Sequence, residues 1–342
     1  MTKKFFIFFL IICFLAGFGL LWKGYRILFY ENIQLTSKNP LIHIRTGAGM
    51  EEVMDTLKKR NVLKNPNEFF LLAKIINYPQ KIYPGCYQLV NGWNNFELLK
   101  CLRAGTQTPV NVTFQSHRLK KHLAQKIATM LETDSLELLK LLSDPVYTDS
   151  LGFDTLSISV IFIPNTYEFY WNTNAKNVIA RMVKEYRKFW NFQRKEKAKL
   201  LRLTQHEVTT LASIVEAETN YEPEKRDIAG VYLNRLRMGM PLQADPTLIF
   251  AVGDFSIKRV TAELKTTESP FNTYKHAGLP PGPINFPTIS SIDAVLKSSQ
   301  HNYLYFCAKE DMSGSHNFAE TFSEHLKNAA KYQRALNERG VR

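Results

Sequence analysis

The N-terminal segment carries the longest uncharged apolar run in the chain. Lys3 and Lys4 precede residues 5–22, which contain no charged side chain. At 1.5 Å per residue a helix over this run spans roughly 27 Å, just enough for the hydrocarbon core of a bilayer. Trp22 and Tyr25 suit the interfacial belt at its far end. The pattern predicts one membrane-spanning helix.

A signal peptide is the alternative, because Ala16, Gly17 and Gly19 are small enough for a cleavage zone. The apolar run continues through 20–22, beyond the point where a signal peptide's core ends, and this favours a retained anchor. The flanking charges give a weak positive-inside bias, which directs the C-terminal part outward. Residues 156–163 form the next long apolar stretch and are only strand-sized.

The next sixty residues alternate between strand-like and helix-like patterns. In order they predict a strand at 42–44, helices at 50–57 and 67–76, a turn at 83–85 and a strand at 87–90. Such an order is typical of a small α+β module.

A similar but weaker pattern follows about seventy residues later. A strand at 110–114 precedes helical spacing at 119–131 and 136–142, so a second copy of the unit and a chance likeness both remain open. Residues 144–154 have the composition of a connecting loop. An aromatic-rich strand and turn is predicted at 161–171.

The most informative helix begins near residue 204. Thr204-x-x-Glu207 is a capping-box pattern, and an apolar stripe follows at 208, 211, 212 and 215. At about 100° per residue Glu218 falls along this stripe, whereas Glu216 projects toward the opposite flank.

A carboxyl group against apolar surface has its charged form disfavoured, so its pKa rises. That environment suits a general acid, which must keep its proton near neutral pH. The structural alternative for Glu218 is solvent exposure at a frayed helix end, or an ion pair with Arg226 or Arg235. Two glutamates at i and i+2 point apart and cannot flank one bond as a carboxylate pair.

Composition narrows the classes of function. The formal net charge is +13 and the pI about 9.4, but the densest basic stretch, 181–202, interleaves cations with apolar residues as a solvated amphipathic helix does. A diffuse positive charge suits an anionic membrane or wall polymer as well as nucleic acid. Four cysteines without a Cys-x-x-Cys pair predict neither a disulfide framework nor a zinc site.

The segment 211–219, LASIVEAET, resembles the catalytic-helix motif of the endolytic murein transglycosylases, the MltG or YceG-like family. Further blocks similar to this family follow in order at 229–236, 238–247, 269–274, 278–284, 303–306 and 314–318. The resemblance extends more loosely to the anchor and to the first module, which is similar to the family's LysM-like domain. The segment 114–117 departs from the pattern, since a Glu-Gly step is missing there.

The resemblance implies a lytic transglycosylase, a carbon–oxygen lyase that cleaves the β-1,4 bond between N-acetylmuramic acid and N-acetylglucosamine in nascent strands. Glu218 would protonate the glycosidic oxygen and then deprotonate the muramoyl 6-hydroxyl, which closes a 1,6-anhydro ring. Since the nucleophile is the sugar's own hydroxyl, no second carboxylate is needed, and no cofactor or metal is expected. Termination of glycan elongation is the role that this activity suggests.

Other residues in these blocks are candidates for substrate binding. Each also has a plain structural alternative as packing, turn capping or core. The candidates are Tyr167, Gln243, Asp245, Asn272, Tyr274 and His316.

We therefore expect an α+β chain with an N-terminal transmembrane helix, a small LysM-like module and a mixed α/β catalytic domain. The predicted boundaries are a cytoplasmic tail at 1–4, an anchor at 5–22, a linker at 23–40, the LysM-like module at 41–105, a second small module with linker at 106–155 and the catalytic domain at 156–342. The expected location is the inner membrane, single-pass, with the catalytic domain on the outer face. The expected partners are peptidoglycan strands and the membrane, with peptidoglycan synthases as candidates.

Two other functions remain open at this point. A membrane-tethered glycan-binding scaffold would use the LysM-like part without catalysis. A glycoside hydrolase would need another carboxylate to activate water, with Glu222 or Asp245 as candidates. A nucleic-acid binder is disfavoured because the chain has no recognisable module of that kind.

Overall fold

The computed structural model describes residues 2–35, 39–257 and 259–339. It has a mixed α/β architecture with an apolar N-terminal helix, which confirms the predicted fold class at that level. The α-helices are α1 Thr2–Phe29, α2 Met50–Lys59, α3 Pro66–Ile75, α4 Asn95–Ala104, α5 Lys120–Ala128, α6 Ser135–Ser143, α7 Pro145–Ser150, α8 Ala175–Phe189, α9 Phe192–Leu200, α10 Gln205–Glu218, α11 Lys225–Arg237, α12 Asp245–Val252, α13 Ile289–Leu296 and α14 Phe322–Glu338. The strands are β1 Leu41–Ile44, β2 Gly85–Gln88, β3 Val110–Phe114, β4 Asn165–Phe169, β5 Tyr305–Ala308 and β6 His316–Ala319.

Helix α1 is longer than the apolar run that predicted it. Within its segment Phe5–Phe29, the most apolar stretch of 18 residues has a mean hydropathy of 2.7 and is exposed. By length and composition it can cross a membrane once. Lys23 and Arg26 lie within the helix, and the Arg26 guanidinium donates to Glu68 on α3 at 2.7 Å.

The described chain divides into two compact units. Unit 1 comprises Met1–Val112, Thr129–Thr133 and Tyr167–Asn174, and unit 2 comprises Thr113–Ala128, Asp134–Thr166 and Ala175–Arg342.

In unit 1, β1 pairs antiparallel with β2, with Ile42 opposite Tyr87. Both side chains are buried in one core with residues from α2, α3 and α4. Helix α4 was missed by the sequence analysis. It starts at a complete capping box, in which Asn94 accepts from the Glu97 amide and Glu97 accepts from the Asn94 amide.

One sequence prediction in unit 2 was wrong in detail. Residues 144–154 are not simply a loop, because Asp144 caps the short helix α7 by accepting from the amides of Val146 and Tyr147. The strand-sized apolar stretch at 156–163 contains a 3₁₀ helix over Ser157–Ile161, and the strand within the predicted 161–171 segment is β4.

The basic stretch 181–202 is divided between two helices. Helix α8 ends at Phe189, and Asn191 caps α9 by accepting from the Arg194 amide at 3.0 Å. Trp190 occupies the break and is buried at 1% exposure. Burial of this large indole turns the chain away from a single continuous helix.

Helix α10 lies at the centre of unit 2 and packs against α11, α12 and α13. Every residue from 208 to 215 is buried, so the helix is enclosed on all sides rather than along one stripe. The polar residues at its C-terminal end are therefore presented from the middle of the core.

Candidate active site

The start and the end of α10 determine where Glu218 lies. Thr204 caps the helix as predicted, since its hydroxyl accepts from the Glu207 amide at 3.2 Å and its own amide donates to the Glu207 carboxylate at 2.7 Å. The helix ends at Glu218 and the backbone becomes extended at Thr219. Glu218 thus occupies the last turn, where the helix emerges from the core.

The nearest described partner of the Glu218 carboxyl group is a buried tyrosine. The Tyr232 hydroxyl, on α11, donates to Glu218 Oε1 at 2.6 Å, and Tyr232 is only 2% exposed. Burial raises the pKa of Glu218 from 4.5 to about 7. The Tyr232 hydrogen bond opposes this rise, the charge of Asp245 adds to it and that of Arg235 opposes it.

Glu216, two residues earlier, has a different environment. It accepts hydrogen bonds from the Thr288 hydroxyl at 2.6 Å and from the Ser291 hydroxyl, and Lys225 Nζ lies at 3.3 Å. Burial disfavours its charge, but these hydrogen bonds and the ammonium group outweigh that effect and lower its pKa. Glu216 is therefore an ionised group that ties α10 to α11 and α13.

Two of the predicted binding residues form a pair beside Glu218. The Tyr274 hydroxyl donates to Asp245 Oδ1 at 2.5 Å. Asp245 is the first residue of α12 and is exposed. Burial and the Asp245 carboxylate raise the pKa of Tyr274, and the charge of Glu218 adds to this effect. The structure thus brings Glu218, Asp245 and Tyr274 into one electrostatic neighbourhood.

Asn272 is fully buried and binds the backbone of Tyr274. Its side-chain amide donates to the carbonyls of Lys265 and Thr267 at 3.0 and 2.8 Å, and its oxygen accepts from the Tyr274 amide at 2.9 Å. Its polar atoms are thus engaged with the backbone, and they hold the turn that carries Tyr274.

Gln243 lies next to Asp245 with its side chain exposed. Its backbone has a φ of 50°, and its amide donates to the Thr273 carbonyl at 3.0 Å. A positive φ at a glutamine is uncommon and requires local support. The bond to Thr273 provides that support and joins the 243 and 273 segments.

His316 and Tyr167 are the remaining two candidates. His316 begins β6, and its amide and its Nδ1 both contact the carboxylate of Glu224, with Nδ1 at 2.9 Å from Oε2. Its ring also packs edge-on against Phe306, which in turn packs edge-on against Tyr232. Tyr167 is buried on β4 and belongs to unit 1.

Sequence reasoning missed Tyr232 and considered Arg235 only as an ion-pair partner. Arg235 is 8% exposed, and its guanidinium donates to the carbonyls of Leu304 and Leu242, each at 2.7 Å. It is therefore anchored to backbone oxygens, and it influences Glu218 at a distance. Both residues lie on one face of α11 at i and i+3.

This arrangement can exchange a proton near neutral pH. With a pKa of about 7, Glu218 is present in both the protonated and the ionised form. Tyr232 holds Oε1, and Oε2 has no protein partner among the described residues. A single carboxyl group is thus able to give up a proton and take one back.

The chain is similar to proteins of one family over most of its length. The model of the YceG-like family matches residues 42–331. A Bacillus subtilis protein named endolytic murein transglycosylase is 29% identical over 90% of this chain and 89% of its own length. A Streptococcus pneumoniae protein of the same name is 27% identical over 87% of this chain, which spans 59% of that relative.

A solved structure supports the same assignment. The crystal structure of a YceG-like protein from Listeria monocytogenes matches with a TM-score of 0.58 and 26% identity, covering 85% of this chain and 99% of that one. Sequence and fold therefore agree. This chain belongs to the YceG-like family.

Proposed function

We propose that this protein is an endolytic murein transglycosylase in which Glu218 serves first as general acid and then as general base. The observation that carries the proposal is the partly buried carboxyl group of Glu218, which accepts from the Tyr232 hydroxyl at 2.6 Å and has its pKa raised to about 7. The names of the relatives from Bacillus subtilis and Streptococcus pneumoniae support the substrate and the reaction.

In the first step Glu218 donates its proton to the glycosidic oxygen between N-acetylmuramic acid and N-acetylglucosamine. The bond from the muramoyl anomeric carbon to that oxygen breaks, and positive charge develops on the muramoyl ring. The Glu218 carboxylate that remains accepts a hydrogen bond from Tyr232, which stabilises it as it forms.

In the second step the carboxylate removes the proton of the muramoyl 6-hydroxyl, and that oxygen bonds to the anomeric carbon. The product is a 1,6-anhydro ring, and Glu218 regains its proton. Because the attacking hydroxyl belongs to the same sugar, most of the entropic cost of bringing reactants together is absent. One carboxyl group is then sufficient.

The neighbouring residues differ in whether they orient Glu218, contact the glycan or hold a contacting residue in place. Tyr232 orients Glu218, while Asp245, Tyr274 and Gln243 present a carboxylate, a phenol and an amide to the glycan. Asn272 contributes through the turn that carries Tyr274. His316 and Tyr167 are kept as candidates for contacts with more distant parts of the strand.

We further propose that α1 anchors the protein in the inner membrane with the catalytic part on the outer face. In this view, residues 41–105 form a LysM-like module, 106–155 a second small module with its linker, and 156–342 the catalytic domain. Nascent strands would be cut near the membrane, where elongation could be ended and where peptidoglycan synthases would be neighbours.

A glycoside hydrolase is the second candidate, because the Asp245 carboxylate acts electrostatically on Glu218. Such a carboxylate could activate water on the opposite face of the sugar. Glu222, the other sequence candidate, is exposed and bound to Lys225 at 2.5 Å, so Asp245 is the stronger of the two.

Purified peptidoglycan and the full-length chain in detergent provide the test. We expect anhydro-ended fragments of many disaccharides by mass spectrometry, and loss of cleavage in Glu218→Gln with binding retained. Reducing ends would indicate the hydrolase. Binding without cleavage by the wild type would indicate a non-catalytic scaffold.

A further inference from the structure

A large cavity lies at the opposite end of α10 from Glu218. It is formed by residues following α7, by α8 and α9, and by the first turn of α10, and its volume is about 1170 Å³. Helix α10 has 14 residues, so its two ends are about 20 Å apart. The cavity is therefore separate from the Glu218 site, although one helix connects the two.

Four cations line this cavity, namely Arg187, Lys195, Lys199 and Arg202. All four are exposed, and among the described residues none forms an ion pair with a carboxylate. Cations that converge on a concave surface without an ion-pair partner attract anionic ligands.

The lining also contains carboxylates. Asp149 and Asp154 both lie in the cavity wall, and Asp154 accepts from the amides of Leu156 and Ser157 at 2.8 and 2.6 Å. A polyanion such as a phosphate polymer would be repelled by these two groups. A ligand that carries both carboxylates and an ammonium group matches the whole lining.

The floor of the cavity is apolar and includes one unsatisfied polar atom. Phe153 and Tyr186 pack edge-on with ring centroids 5.6 Å apart, and Ala198 is buried beside them. His206 also lines the cavity. Its Nε2 lies 3.1 Å from the Pro281 carbonyl, while its Nδ1 is shielded from solvent and has no hydrogen-bond partner among the described residues.

A second cavity adjoins the basic cavity. It has a volume of about 840 Å³, shares Arg202, Leu203 and His206 with the basic cavity and reaches the loop 278–281. The concave surface at the start of α10 is therefore larger than the basic cavity alone.

We infer that the cavity lined by Arg187, Lys195, Lys199 and Arg202 binds the peptide stems of murein. The inference rests on the proposed function. A stem combines small apolar side chains, several carboxylates and the amino group of a diamino acid, which match the floor, the four cations and the two aspartates respectively. The cavity would then favour strands that still carry their stems and hold a flanking stem while Glu218 acts.

The test uses charge reversal on exposed lysines of the full-length chain in detergent. The cavity variant is Lys195→Glu with Lys199→Glu, one turn apart on α9. The matched control is Lys184→Glu with Lys188→Glu, which are also exposed and one turn apart on α8 but do not line either cavity. Both variants change the net charge equally, and their Tm should remain within a few degrees of wild type because exposed substitutions cost little.

The first readout is the ratio of kcat/KM for stem-bearing strands to that for strands stripped by an amidase. We expect the wild type to prefer stem-bearing strands. In the cavity variant the ratio should fall about tenfold, which is the magnitude of two surface charge contacts. The control should keep the ratio. Equal losses in both variants, or no loss in either, would overturn the inference while leaving the proposed function intact.

The second readout is calorimetric binding of an isolated stem peptide to the Glu218→Gln chain, which does not depend on catalysis. We expect the stem peptide to bind about tenfold more weakly to the cavity variant. Inorganic polyphosphate should not displace the bound peptide. Displacement by polyphosphate, or an absence of peptide binding, would contradict a stem site. An absence of cleavage by the wild type with peptide binding intact would instead contradict the proposed function alone.

Discussion

Replacing Glu218 with glutamine should stabilise the folded protein at alkaline pH. The folded-state pKa of about 7 lies above the ordinary value of 4.5. Between these values the folded chain keeps a proton that the unfolded chain has lost, so the contribution of this group to stability falls as pH rises from about 4.5 to 7. Glutamine stays neutral and avoids that loss.

The size of the effect follows from the same two values. At about 1.36 kcal/mol per pKa unit, their separation corresponds to about 3 kcal/mol at pH 8 and to almost nothing at pH 4. The glutamine oxygen can still accept from Tyr232, so the hydrogen bond at 2.6 Å need not be lost. For a unit of this size, a gain of about 2–3 kcal/mol raises Tm by roughly 5–10 °C.

The assay is thermal unfolding of full-length wild type and Glu218→Gln in detergent at pH 4 and pH 8. Glu216→Gln is the matched control, because its pKa is lowered by Ser291, Thr288 and Lys225 despite burial. That variant should lose about 2 kcal/mol at pH 8 and less at low pH, since Glu216 stabilises the fold only when ionised. Equal stability of Glu218→Gln and wild type at pH 8, or the same gain at both pH values, would refute the reasoning.

Two further substitutions test the neighbourhood of Glu218, and a third tests the packing of α11 against residues 299–301. Tyr232→Phe removes a hydrogen bond that lowers the pKa of Glu218. The alkaline limb of the pH profile of kcat/KM should therefore move up by about one pH unit while kcat falls. An unchanged alkaline limb would argue against the hydrogen bond between Tyr232 and Glu218. Asp245→Asn removes a charge that raises the pKa of Glu218, so the alkaline limb of the same profile should move to lower pH. A move to higher pH would contradict the assignment of this limb to Glu218. Gly230→Ala would place a Cβ atom 2.5 Å from His301 Nε2 and 2.8 Å from the Ser299 carbonyl, so thermal unfolding should show a loss of about 1–3 kcal/mol, and an unchanged Tm would mean that this segment moves aside freely.

Local signals in the sequence were sufficient for much of the secondary structure. The capping box at Thr204, the alternation in β1 and the proline at the start of α3 each act within a few residues. Helix α4 was missed although its capping pair, Asn94 and Glu97, is also a local signal. The division between α8 and α9 was missed because it depends on the burial of Trp190 in the tertiary fold.

The candidate site shows the same division between local and long-range information. Helical phase singled out Glu218, and the structure agrees that it differs from Glu216, but for another reason. Helix α10 is buried on all sides, so the two glutamates differ through partners supplied by other helices. Those partners, Tyr232 for one and Thr288 with Ser291 for the other, lie 14 to 75 residues away and could not be found from periodicity.

The central claim is that Glu218 drives cleavage without water, and an isotope measurement tests it most directly. Wild-type protein is incubated with purified peptidoglycan in ¹⁸O-labelled water, and the new chain ends are weighed by mass spectrometry. The account predicts anhydro ends without ¹⁸O, formed only when Glu218 is present. Incorporation of ¹⁸O at new reducing ends would contradict it, and the Asp245 hydrolase would then be the better account.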